Sequence, residues 1–554
     1  MLKVIISDRS YSNWHFLTEN DEPIDVDLAL NPATSHIFSN DIIDITGNDI
    51  SIISSPTREQ SNIPGTLILD NKKTFTINGK IMYKCIPNDN SLPIFLVPYK
   101  EILKFSKKSV NKYVTFRFDS WQSSHPEGRL EQTIGDVTDP NNYYEYRLYC
   151  KNLNISNRKF SQKVVQKLKS QPFLPHPNNE DRTNRNIITI DSESTQDYDD
   201  AIGCSEVNGD QCLSVYIANV PLFMEQNDLW SYFTKKVATI YLPDKKRSML
   251  PTILTDNVLS LVNGELRNVF YVDIISNETG IIDVKFGNAT ICVTVNHVYE
   301  SEMLNDDLEY KKIMSYTKSL SILYPYVKNI KTSFQLIEYL MILMNNQCAI
   351  KLKQHGKGIF RSLELTDQTV PDNVPMDIVN FNFNFAKCWK NTSSQYTVES
   401  KAHDLLELTD YIHITSPIRR LVDILNMIQM QTVCNIYSYG ETAIAFYETW
   451  LSQIDYINEN SKKIRKVQNE CEALHFCSVT DIDRMTFDGY VIEENSRGYN
   501  IYIPQAKMIS SIRTPDTLHQ YDKLKLKLYV FTDSETLKQK IRVDNVSSPI
   551  NIII

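Results

Sequence analysis

The most constraining feature of the sequence is a run of four aspartates, Asp191, Asp197, Asp199 and Asp200, that lie within ten residues. Carboxylates held this close repel one another unless a positive group neutralises them, and hard divalent cations prefer oxygen ligands. The β-rich segment 186–190 precedes the run and predicts a buried strand. The sequence therefore predicts a metal site at a strand end and in the loop after it.

Two other interpretations apply to acidic runs of this kind. Such a run is often a solvated surface loop, but here an apolar strand precedes it and Ala201-Ile202-Gly203 follows it. A calcium loop of the EF-hand type needs Gly at its sixth position and Glu at its twelfth, where this run has Gln196 and Ile202. A purely structural acidic turn remains an alternative on the run alone.

Length, charge and cysteine content place the chain in a broad class. Its 554 residues are enough for roughly three to five domains. The net charge of −9 counts mildly against a nucleic-acid-binding protein, although binding depends on local patches. The ten cysteines include no Cys-x-x-Cys pair, the first residues are too weakly apolar for a signal peptide, and no segment approaches the ~20 apolar residues of a membrane span. We therefore expect a reduced, soluble protein of the cytoplasm with no membrane partner.

Secondary-structure signals change along the chain. Short β-rich runs broken by Asn, Asp, Gly and Pro predict one or two small β-barrels in the first 150 or so residues. Longer helical patterns mixed with strands follow in residues 186–480, and β-rich runs return in residues 485–545. Residues 523–530 alternate strictly between Lys or Tyr and an apolar residue, as a half-buried strand does. The layout therefore predicts β-barrels on either side of a large α+β domain.

A second motif, Thr-Ser-Pro-Ile-Arg-Arg, runs from Thr415 to Arg420. The Ser-Pro step predicts a helix N-terminus with Pro417 near the first turn. Arginines there oppose the helix dipole, which a nearby phosphate would relieve. On this motif alone, Arg419 and Arg420 are better interpreted as surface cations paired with Asp423. Together with the aspartates, however, they supply the parts of metal-assisted phosphodiester hydrolysis.

Both motifs match a known family. The pattern Asp, five residues, Asp-x-Asp-Asp-Ala spans Asp191 to Ala201, and the second motif is also a family pattern. The chain resembles the ribonuclease II (RNB) superfamily of hydrolytic 3′-to-5′ exoribonucleases, and most of all the eukaryotic branch that includes the catalytic subunit of the exosome. Weaker matches occur between the motifs in the family's order, among them Tyr241-Leu242-Pro243 and residues 358–361.

The resemblance implies an α+β catalytic RNB domain flanked by OB-fold β-barrels. Two cold-shock-like barrels would span residues 1–62 and 63–160, the catalytic domain 161–482, and an S1-like barrel 483–554. The N-terminal endonuclease domain of the exosome subunit has no counterpart in this sequence, which weakens the expectation of exosome association. The family implies a monomer.

The resemblance also implies Mg²⁺, or Mn²⁺ in its place, and processive degradation of single-stranded RNA to nucleoside 5′-monophosphates. Carried over residue by residue, the implied metal ligands are Asp191, Asp197 and Asp200. Asp199 would handle the 3′-terminal ribose and be essential for cleavage. Arg419 would brace the scissile phosphate.

Four further residues are implied to bind the substrate. Tyr241 matches an aromatic clamp on the terminal base, although a core tyrosine before a turn would also explain it. Tyr299 and Glu338 fall where the family recognises the ribose 2′-hydroxyl. Because Glu338 lies in an apolar helical segment, its carboxylate is expected to need a partner, for which a ribose hydroxyl and a structural arginine are equally good. Arg420 is the fourth substrate-binding residue.

The sequence departs from the family pattern near both motifs. The common His-Ile-Ala-Asp is Tyr-Ile-Ala-Asn at residues 216–219, and Leu421, Val422 and Met427 replace the usual Tyr, Pro and His. Gln468 stands where bacterial members have Glu, as in the eukaryotic relatives. The metal ligands are unchanged. A catalytically weak RNA-binding or adaptor protein on the same fold therefore remains the main alternative, and a DNA exonuclease is a third.

Overall fold

The computed structural model describes residues 1–18, 20–24, 30–46, 49–71, 73–101, 109–170, 175–364, 394–496, 498–533, 537 and 539–546. The chain forms two compact units. The first contains Met1–Asn154, Leu242–Asp244 and Lys466–Ile554, and the second contains Ile155–Tyr241 and Lys245–Arg465. Among the described residues, no helix is long and apolar enough to cross a membrane.

The first unit begins with a five-stranded antiparallel sheet. Its strands are β1 (Leu2–Ile6), β2 (Trp14–Leu17), β3 (Pro23–Ile24), β4 (Ile42–Thr46) and β5 (Asp49–Ser54). They lie in the order β3-β2-β1-β4-β5. The short helix α1 (Pro56–Glu59) follows.

A six-stranded sheet comes next. Its strands are β6 (Ile63–Leu67), β7 (Thr74–Ile77), β8 (Lys80–Pro87), β9 (Phe95–Pro98), β10 (Lys112–Ser120) and β11 (Glu127–Asp136), in the order β6-β10-β11-β9-β8-β7. Strand β6 also pairs with β8, which closes the sheet into a barrel. Helix α2 (Pro140–Cys150) follows, and buried side chains of both N-terminal sheets form one apolar cluster.

The second unit is built on a seven-stranded mixed sheet. After α3 (Arg158–Ser170), the elements are β12 (Glu180–Asp181), β13 (Ile188–Asp191), β14 (Asp200–Val207), β15 (Asp210–Ala218), α4 (Val220–Gln226), β16 (Ile240–Tyr241), β17 (Lys246–Arg247), β18 (Leu266–Asn277), β19 (Gly280–Cys292) and β20 (Val295–Val298). The sheet order is β12-β19-β18-β15-β14-β13-β20, and β16 and β17 form a separate hairpin. The buried strand predicted at residues 186–190 is present as β13.

Helices follow the sheet in the chain. They are α5 (Glu302–Asp306), α6 (Leu308–Leu323), α7 (Ser333–Gln354), and, after β21 (Phe360–Ser362) and β22 (Gln395–Thr397), α8 (Leu421–Val433), α9 (Glu441–Leu451) and α10 (Ile454–Val479). Apolar residues of β13, β14, β15 and β18 pack against those of α6, α7 and α8 in one core. This core fixes the ends of β13 and β14, where the acidic run lies.

The C-terminal strands form a further five-stranded sheet with its own core. The strands are β23 (Phe487–Asn495), β24 (Gly498–Ile503), β25 (Met508–Ile512), β26 (Lys523–Thr532) and β27 (Gln539–Asn545), in the order β25-β24-β23-β26-β27. In β26, Leu524, Leu526 and Leu528 are buried, as the alternating pattern predicted. The predicted fold class, β-barrels combined with an α+β unit, is confirmed, whereas the four domain boundaries stay predictions.

Candidate active site

The acidic run joins two neighbouring antiparallel strands. Asp191 is the last residue of β13, and Asp200 is the first of β14. In the loop between them, the hydroxyls of Ser192 and Thr195 lie 2.8 Å apart, and the Thr195 amide donates to the Ser192 carbonyl. The sheet therefore places the two ends of the run beside each other, and the loop brings the remaining acids to the same strand ends.

Asp199 connects the acidic run to the second motif. Its carboxylate is buried and accepts a hydrogen bond of 2.8 Å from the backbone amide of Ile418. Its other oxygen lies 3.2 Å from Nε of Arg419. Its backbone carbonyl accepts from the amide of Ala218 at 2.9 Å, which fixes the residue to the end of β15. The predicted catalytic pair, Asp199 and Arg419, is therefore in direct contact.

The second motif is a turn and an extended segment rather than the first turn of a helix. The amides of Arg419 and Arg420 both donate to the Ser416 carbonyl, at 3.2 and 3.0 Å. Arg420 then pairs as a β-bridge with Ala238, and helix α8 begins only at Leu421. The predicted helix N-terminus at Pro417 is therefore wrong, because backbone hydrogen bonds to residues 237–239 hold this segment extended.

The two arginines have different environments. Arg420 donates from Nε and Nη2 to the fully buried carboxylate of Asp423, at 2.8 and 2.7 Å. The Ser416 amide donates to the same carboxylate at 2.7 Å. Arg420 thus forms the Asp423 pair that the sequence offered as an alternative, and its substrate-binding role stays a prediction. Arg419, whose side chain is 45% exposed, can still reach a ligand.

The carboxylates of the acidic run are difficult to ionise together. Burial, and then the charges of Asp200 and Asp199, raise the pKa of Asp191 to about 8. Burial raises the pKa of Asp199 to about 7, although Arg419 and the Ile418 amide oppose it. Burial also raises the pKa of Asp200 to about 6, against the effects of Arg419 and Arg420. The cluster therefore favours the binding of a cation or of protons.

Asp197 has a positive partner that the sequence did not predict. Nζ of Lys246 lies 2.9 Å from Oδ1 of Asp197 and 2.7 Å from Oδ1 of Asp256. The Tyr241 hydroxyl lies 3.4 Å from Oδ2 of Asp197. Tyr241 and Lys246 are paired residues of the β16–β17 hairpin. The basic triplet 245–247, which lies four residues after Tyr241, could have indicated a positive partner for the acidic run.

Tyr299 lies beside the acidic run. Its amide donates to the Asp191 carbonyl at 2.9 Å, and burial followed by the charges of Asp200 and Asp191 raises the pKa of its hydroxyl. Its ring centroid is 5.7 Å from that of Phe334, whose side chain is 59% exposed at the start of α7. Phe334 was missed because a single Phe ahead of an apolar helix carries no distinctive sequence signal.

Glu338 differs from the expectation. Helix α7 buries Leu336, Ile337 and Leu340, whereas Glu338 lies on its exposed side. The expectation of a buried carboxylate is therefore wrong, although partial burial still raises the pKa of Glu338. Glu338 is one helical turn beyond Phe334, which places it on the same side of α7. Its role toward a ribose hydroxyl stays a prediction.

Polar packing accommodates the departures from the family pattern. Asn219, where the family has Asp, donates to Asn288 at 2.9 Å, Asn288 donates to Gln431 at 2.8 Å, and Gln431 donates back to Asn219 at 3.0 Å. Asn219 also caps α4 by accepting from the Leu222 amide. Leu421, Val422 and Met427 are buried. The residues that depart from the family pattern therefore fit their surroundings: Asn219 is hydrogen-bonded, and the three apolar residues are buried.

The residues of the acidic run suit a hard divalent cation only in part. The donor set consists of carboxylate oxygens, and the buried Oδ2 of Asp191 has no hydrogen-bond partner. However, no group of three or more His, Cys, Asp or Glu side chains within the described residues is arranged to hold a metal ion. Asp197 is instead directed at Lys246. The set Asp191, Asp197 and Asp200 has suitable chemistry and stays a prediction as a ligand set.

Comparison with known protein families yields two matching domain models. The RNB domain matches residues 179–333 and 302–436. The Dis3-like cold-shock domain 2 (CSD2) matches residues 82–146. The first match contains the acidic run and the second motif, and the second contains most of the closed barrel.

Curated relatives include bacterial and eukaryotic proteins. Ribonuclease R of Buchnera aphidicola is 24% identical over 464 residues, which cover 66% of this chain and 59% of that protein. DIS3-like exonuclease 2 of Schizosaccharomyces pombe is 29% identical over 203 residues, or 34% of this chain and 22% of that protein. The chain thus spans less than two thirds of the length of these relatives.

Solved structures share the fold. Mycoplasma genitalium RNase R in complex with ribose methylated single-stranded RNA has a TM-score of 0.69 at 16% identity, covering 95% of this chain and 98% of that one. Yeast Ssd1, a pseudonuclease, has a TM-score of 0.59 at 18% identity, covering 84% of this chain and 67% of that one. The same fold therefore occurs in a nuclease and in a pseudonuclease.

Proposed function

The chain belongs to the RNB superfamily, and on that premise we propose that it is a processive 3′-to-5′ exoribonuclease that hydrolyses single-stranded RNA to nucleoside 5′-monophosphates. The observation that carries the proposal is the contact between Asp199 and Arg419, with Nε and Oδ2 3.2 Å apart. In this contact, the buried carboxylate of Asp199 near the end of the acidic run lies beside the half-exposed guanidinium of Arg419. Hydrolysis of a phosphodiester needs both kinds of group at one place.

Each protein group has a distinct part in the proposed reaction. Arg419 donates hydrogen bonds to the oxygens of the scissile phosphate and stabilises the negative charge that grows there. Asp199 aligns Arg419 and, as the family resemblance implies, would handle the terminal ribose. Because Arg419 and the Ile418 amide oppose the raised pKa of Asp199, the substrate-free site keeps part of this acid ionised near neutral pH.

We propose Mg²⁺ as the cofactor, with Mn²⁺ able to replace it. Asp191, Asp197 and Asp200 would hold it, and the chemistry that it supplies when bound is activation of the attacking water and stabilisation of the leaving oxygen. The raised pKa values of Asp191 and Asp200 support the proposal, because a bound cation offsets the burial, and at Asp191 also the neighbouring negative charges, that oppose ionisation. For Asp197 to take part, its bond to Lys246 has to lengthen or break.

Aromatic groups near the cluster support RNA as the substrate. Tyr241 is 40% exposed and lies within reach of Asp197, so its ring is available to stack on a terminal base. The hydroxyl of Tyr299 faces the charges of Asp191 and Asp200 and suits recognition of a ribose 2′-hydroxyl. Glu338 would accept from the same ribose. These contacts predict a preference for RNA over DNA.

A second candidate function is RNA binding without efficient hydrolysis. The observation that favours it is the Lys246–Asp197 ion pair, which gives one predicted metal ligand a protein cation as its partner. Yeast Ssd1, a pseudonuclease, has the same fold, so the fold alone does not imply nuclease activity. In this case the acidic run would be a structural feature.

One experiment distinguishes these functions. The protein is incubated with Mg²⁺ and a single-stranded RNA labelled in its 3′-terminal nucleotide, and products are separated over time. The expected first product is the labelled nucleoside 5′-monophosphate, and a DNA strand of the same sequence should react more slowly. Binding of the RNA with no release of label rejects the nuclease and supports the second candidate.

A further inference from the structure

Helix α3 concentrates positive charge in an acidic chain. Its 13 residues include Arg158, Lys159, Lys163, Lys167 and Lys169 and no acidic residue, although the whole chain has a net charge of −9. None of the five cations forms an ion pair with an acidic side chain in the part of the chain that the structure describes. A surface of this kind attracts a polyanion because binding releases its counterions.

The apolar side of α3 is already covered. Phe160 and Val164 are buried, and Val165 is the exposed large apolar residue of the helix. Lys159, Lys163 and Lys167 follow one another at intervals of four residues and form a stripe that flanks the buried side of α3. Lys159 is exposed, and Lys163 and Lys167 are half-buried. A helix that binds a bilayer needs a broad exposed apolar face. Because α3 exposes little apolar surface and several cations, it is better suited to bind the phosphates of a soluble polyanion than a bilayer.

An exposed aromatic ring lies beside the basic stripe. Tyr232 is 38% exposed, and Nζ of Lys163 lies 5.4 Å from the centroid of its ring. Tyr232 belongs to a short turn, Trp230–Tyr232, whose first residue is buried and donates to Glu225 at 2.6 Å. A cavity of about 420 Å³ lies between the start of α3 and the Tyr232 turn. Its lining residues are Ser156, Arg158, Lys159, Phe160, Ser231, Tyr232 and Thr234. Cations beside a free ring are the pattern that binds bases and phosphates of a single strand.

The N-terminal end of α3 is tied to the segment that leaves the candidate active site. Nδ2 of Asn157 donates to the carbonyls of Ser248 and Met249, at 3.1 and 2.9 Å. These residues directly follow the β16–β17 hairpin, in which Tyr241 and Lys246 contact Asp197. The basic surface of α3 and the acidic run therefore belong to the same compact unit, and the segment after the β16–β17 hairpin connects them.

We propose that α3 and Tyr232, together called the α3 surface, bind the phosphates and one base of an RNA strand outside the catalytic cluster. The proposal rests on the RNA substrate of the proposed function and extends it to a second contact. Lys159, Lys163 and Lys167 would bind successive phosphates, and Tyr232 would stack on a base. The α3 surface would increase the affinity for long RNAs, whereas RNAs of a few nucleotides would bind at the catalytic cluster alone.

The test compares two double variants in RNA of two lengths. Lys159→Ala/Lys163→Ala removes two cations from α3, and Lys311→Ala/Lys318→Ala removes two exposed lysines from α6 as a matched control. Dissociation constants for single-stranded RNAs of 5 and 25 nucleotides are measured at several salt concentrations in an Asp199→Asn background. For the 25-mer, we expect the α3 variant to bind about 10-fold more weakly and to reduce the salt slope by about 1.4, or 0.7 per phosphate. Neither variant should change binding of the 5-mer.

A second variant pair tests the ring. Tyr232→Leu should weaken binding of the 25-mer by about 5-fold or more, and Tyr232→Phe should retain wild-type binding, because stacking needs the ring and not the hydroxyl. Release of mononucleotides from the 5-mer, measured with Asp199 intact, should be unchanged in both variants. This separates the α3 surface from the catalytic cluster.

Several outcomes overturn the proposal. They are equal losses in the α3 and α6 double variants, equal losses for the two RNA lengths, and loss of binding to phosphatidylserine vesicles with RNA binding intact. Failure of the proposed function gives a different result: wild-type protein that binds the 25-mer through α3 but releases no mononucleotide from either RNA. Binding and product release therefore report on the two proposals independently.

Discussion

Nε of Arg419 lies 3.2 Å from Oδ2 of Asp199, and this contact joins the two sequence motifs of the second unit. The remaining oxygen of Asp199 accepts from the amide of Ile418, so the turn that carries the arginine is held at both its backbone and its side chain. Burial makes such a charged contact stronger than a surface ion pair. Asp199 and the Ser416 hydroxyl, which accepts from Nη2 of Arg419 at 2.9 Å, therefore fix the Arg419 side chain together.

Replacement of Asp199 by Asn tests this dependence. Asp199→Asn keeps the shape of the side chain but removes the charge that aligns Arg419, so the rate of mononucleotide release should fall by about 100-fold or more. Affinity for single-stranded RNA should stay within a few-fold of wild type. Single-turnover rates and equilibrium binding measured on the same RNA check both statements.

Asp306→Asn is the matched control for that variant. Asp306 is an exposed aspartate of α5, and its replacement should leave the rate unchanged. Comparable rates for Asp199→Asn and Asp306→Asn would show that Asp199 has no part in the reaction.

Lys246 is predicted to compete with the metal ion for Asp197. Lys246→Met removes the ammonium group that lies 2.9 Å from Asp197, so the cluster gains negative charge and Mg²⁺ affinity should increase about 5-fold. Isothermal titration of Mg²⁺ into RNA-free protein measures this directly. Lys245→Met, which removes the exposed neighbouring lysine, should leave the affinity unchanged. Weaker Mg²⁺ binding in Lys246→Met would mean that Lys246 positions Asp197 for the metal.

Arg420 is predicted to be required for folding, because its guanidinium pairs with the buried carboxylate of Asp423. Arg420→Met leaves this carboxylate without its cation and should lower the free energy of unfolding by about 3 kcal/mol. Adding Asp423→Asn should restore part of that loss, because it removes the unpaired charge and keeps an acceptor for the Ser416 amide. Urea denaturation followed by circular dichroism gives both values. A stable Arg420→Met protein with weakened RNA affinity would instead support the predicted substrate-binding role.

In the absence of divalent metal, the contribution of the acidic run to stability should fall as pH rises. The pKa values of Asp191, Asp199 and Asp200 are raised to about 8, 7 and 6 in the folded chain. Between pH 4 and pH 8 these three groups therefore bind more protons in the folded state than in the unfolded state, and their deprotonation destabilises the fold. The pKa values of His403 and His413 are lowered by burial and act in the opposite direction, so the quantity to measure is the difference in melting temperature in EDTA between wild type and a variant of the run.

Two comparisons isolate the acidic run as the cause. Asp191→Asn should raise the melting temperature at pH 8 by about 1–3 °C relative to wild type and have less effect at pH 5. Mg²⁺ should stabilise wild type more at pH 8 than at pH 5, because its ligands must be ionised. An effect of Asp191→Asn on the melting temperature in EDTA that is no larger at pH 8 than at pH 5 would contradict the raised pKa values.

The strands of the fold could be predicted because their signals are local. Residues 186–190 form a continuous apolar run and are present as β13, and the alternation of 523–530 matches the buried leucines of β26. The contact between Asp199 and Arg419 follows from no local pattern. The family resemblance implied a part in catalysis for each residue but not this contact, since residues so distant in sequence are brought together by tertiary packing.

The errors arose where tertiary contacts override local preference. Ser416-Pro417 is a good helix start by composition, yet hydrogen bonds with residues 237–239 keep the following arginines extended. Glu338 was expected to be buried because its neighbours are apolar, whereas the helical repeat places it on the exposed side of α7. The Lys246–Asp197 pair depends on a hairpin pairing that single-residue patterns do not reveal.

The most direct test of the central claim is identification of the products formed in ¹⁸O-labelled water. Wild-type protein, Mg²⁺ and an unlabelled single-stranded RNA are combined, and the products are analysed by mass spectrometry. We predict nucleoside 5′-monophosphates that carry one ¹⁸O atom in the phosphate, and none from Asp199→Asn. Nucleoside diphosphates, 2′,3′-cyclic phosphates or intact RNA would contradict hydrolysis at the site formed by Asp199 and Arg419.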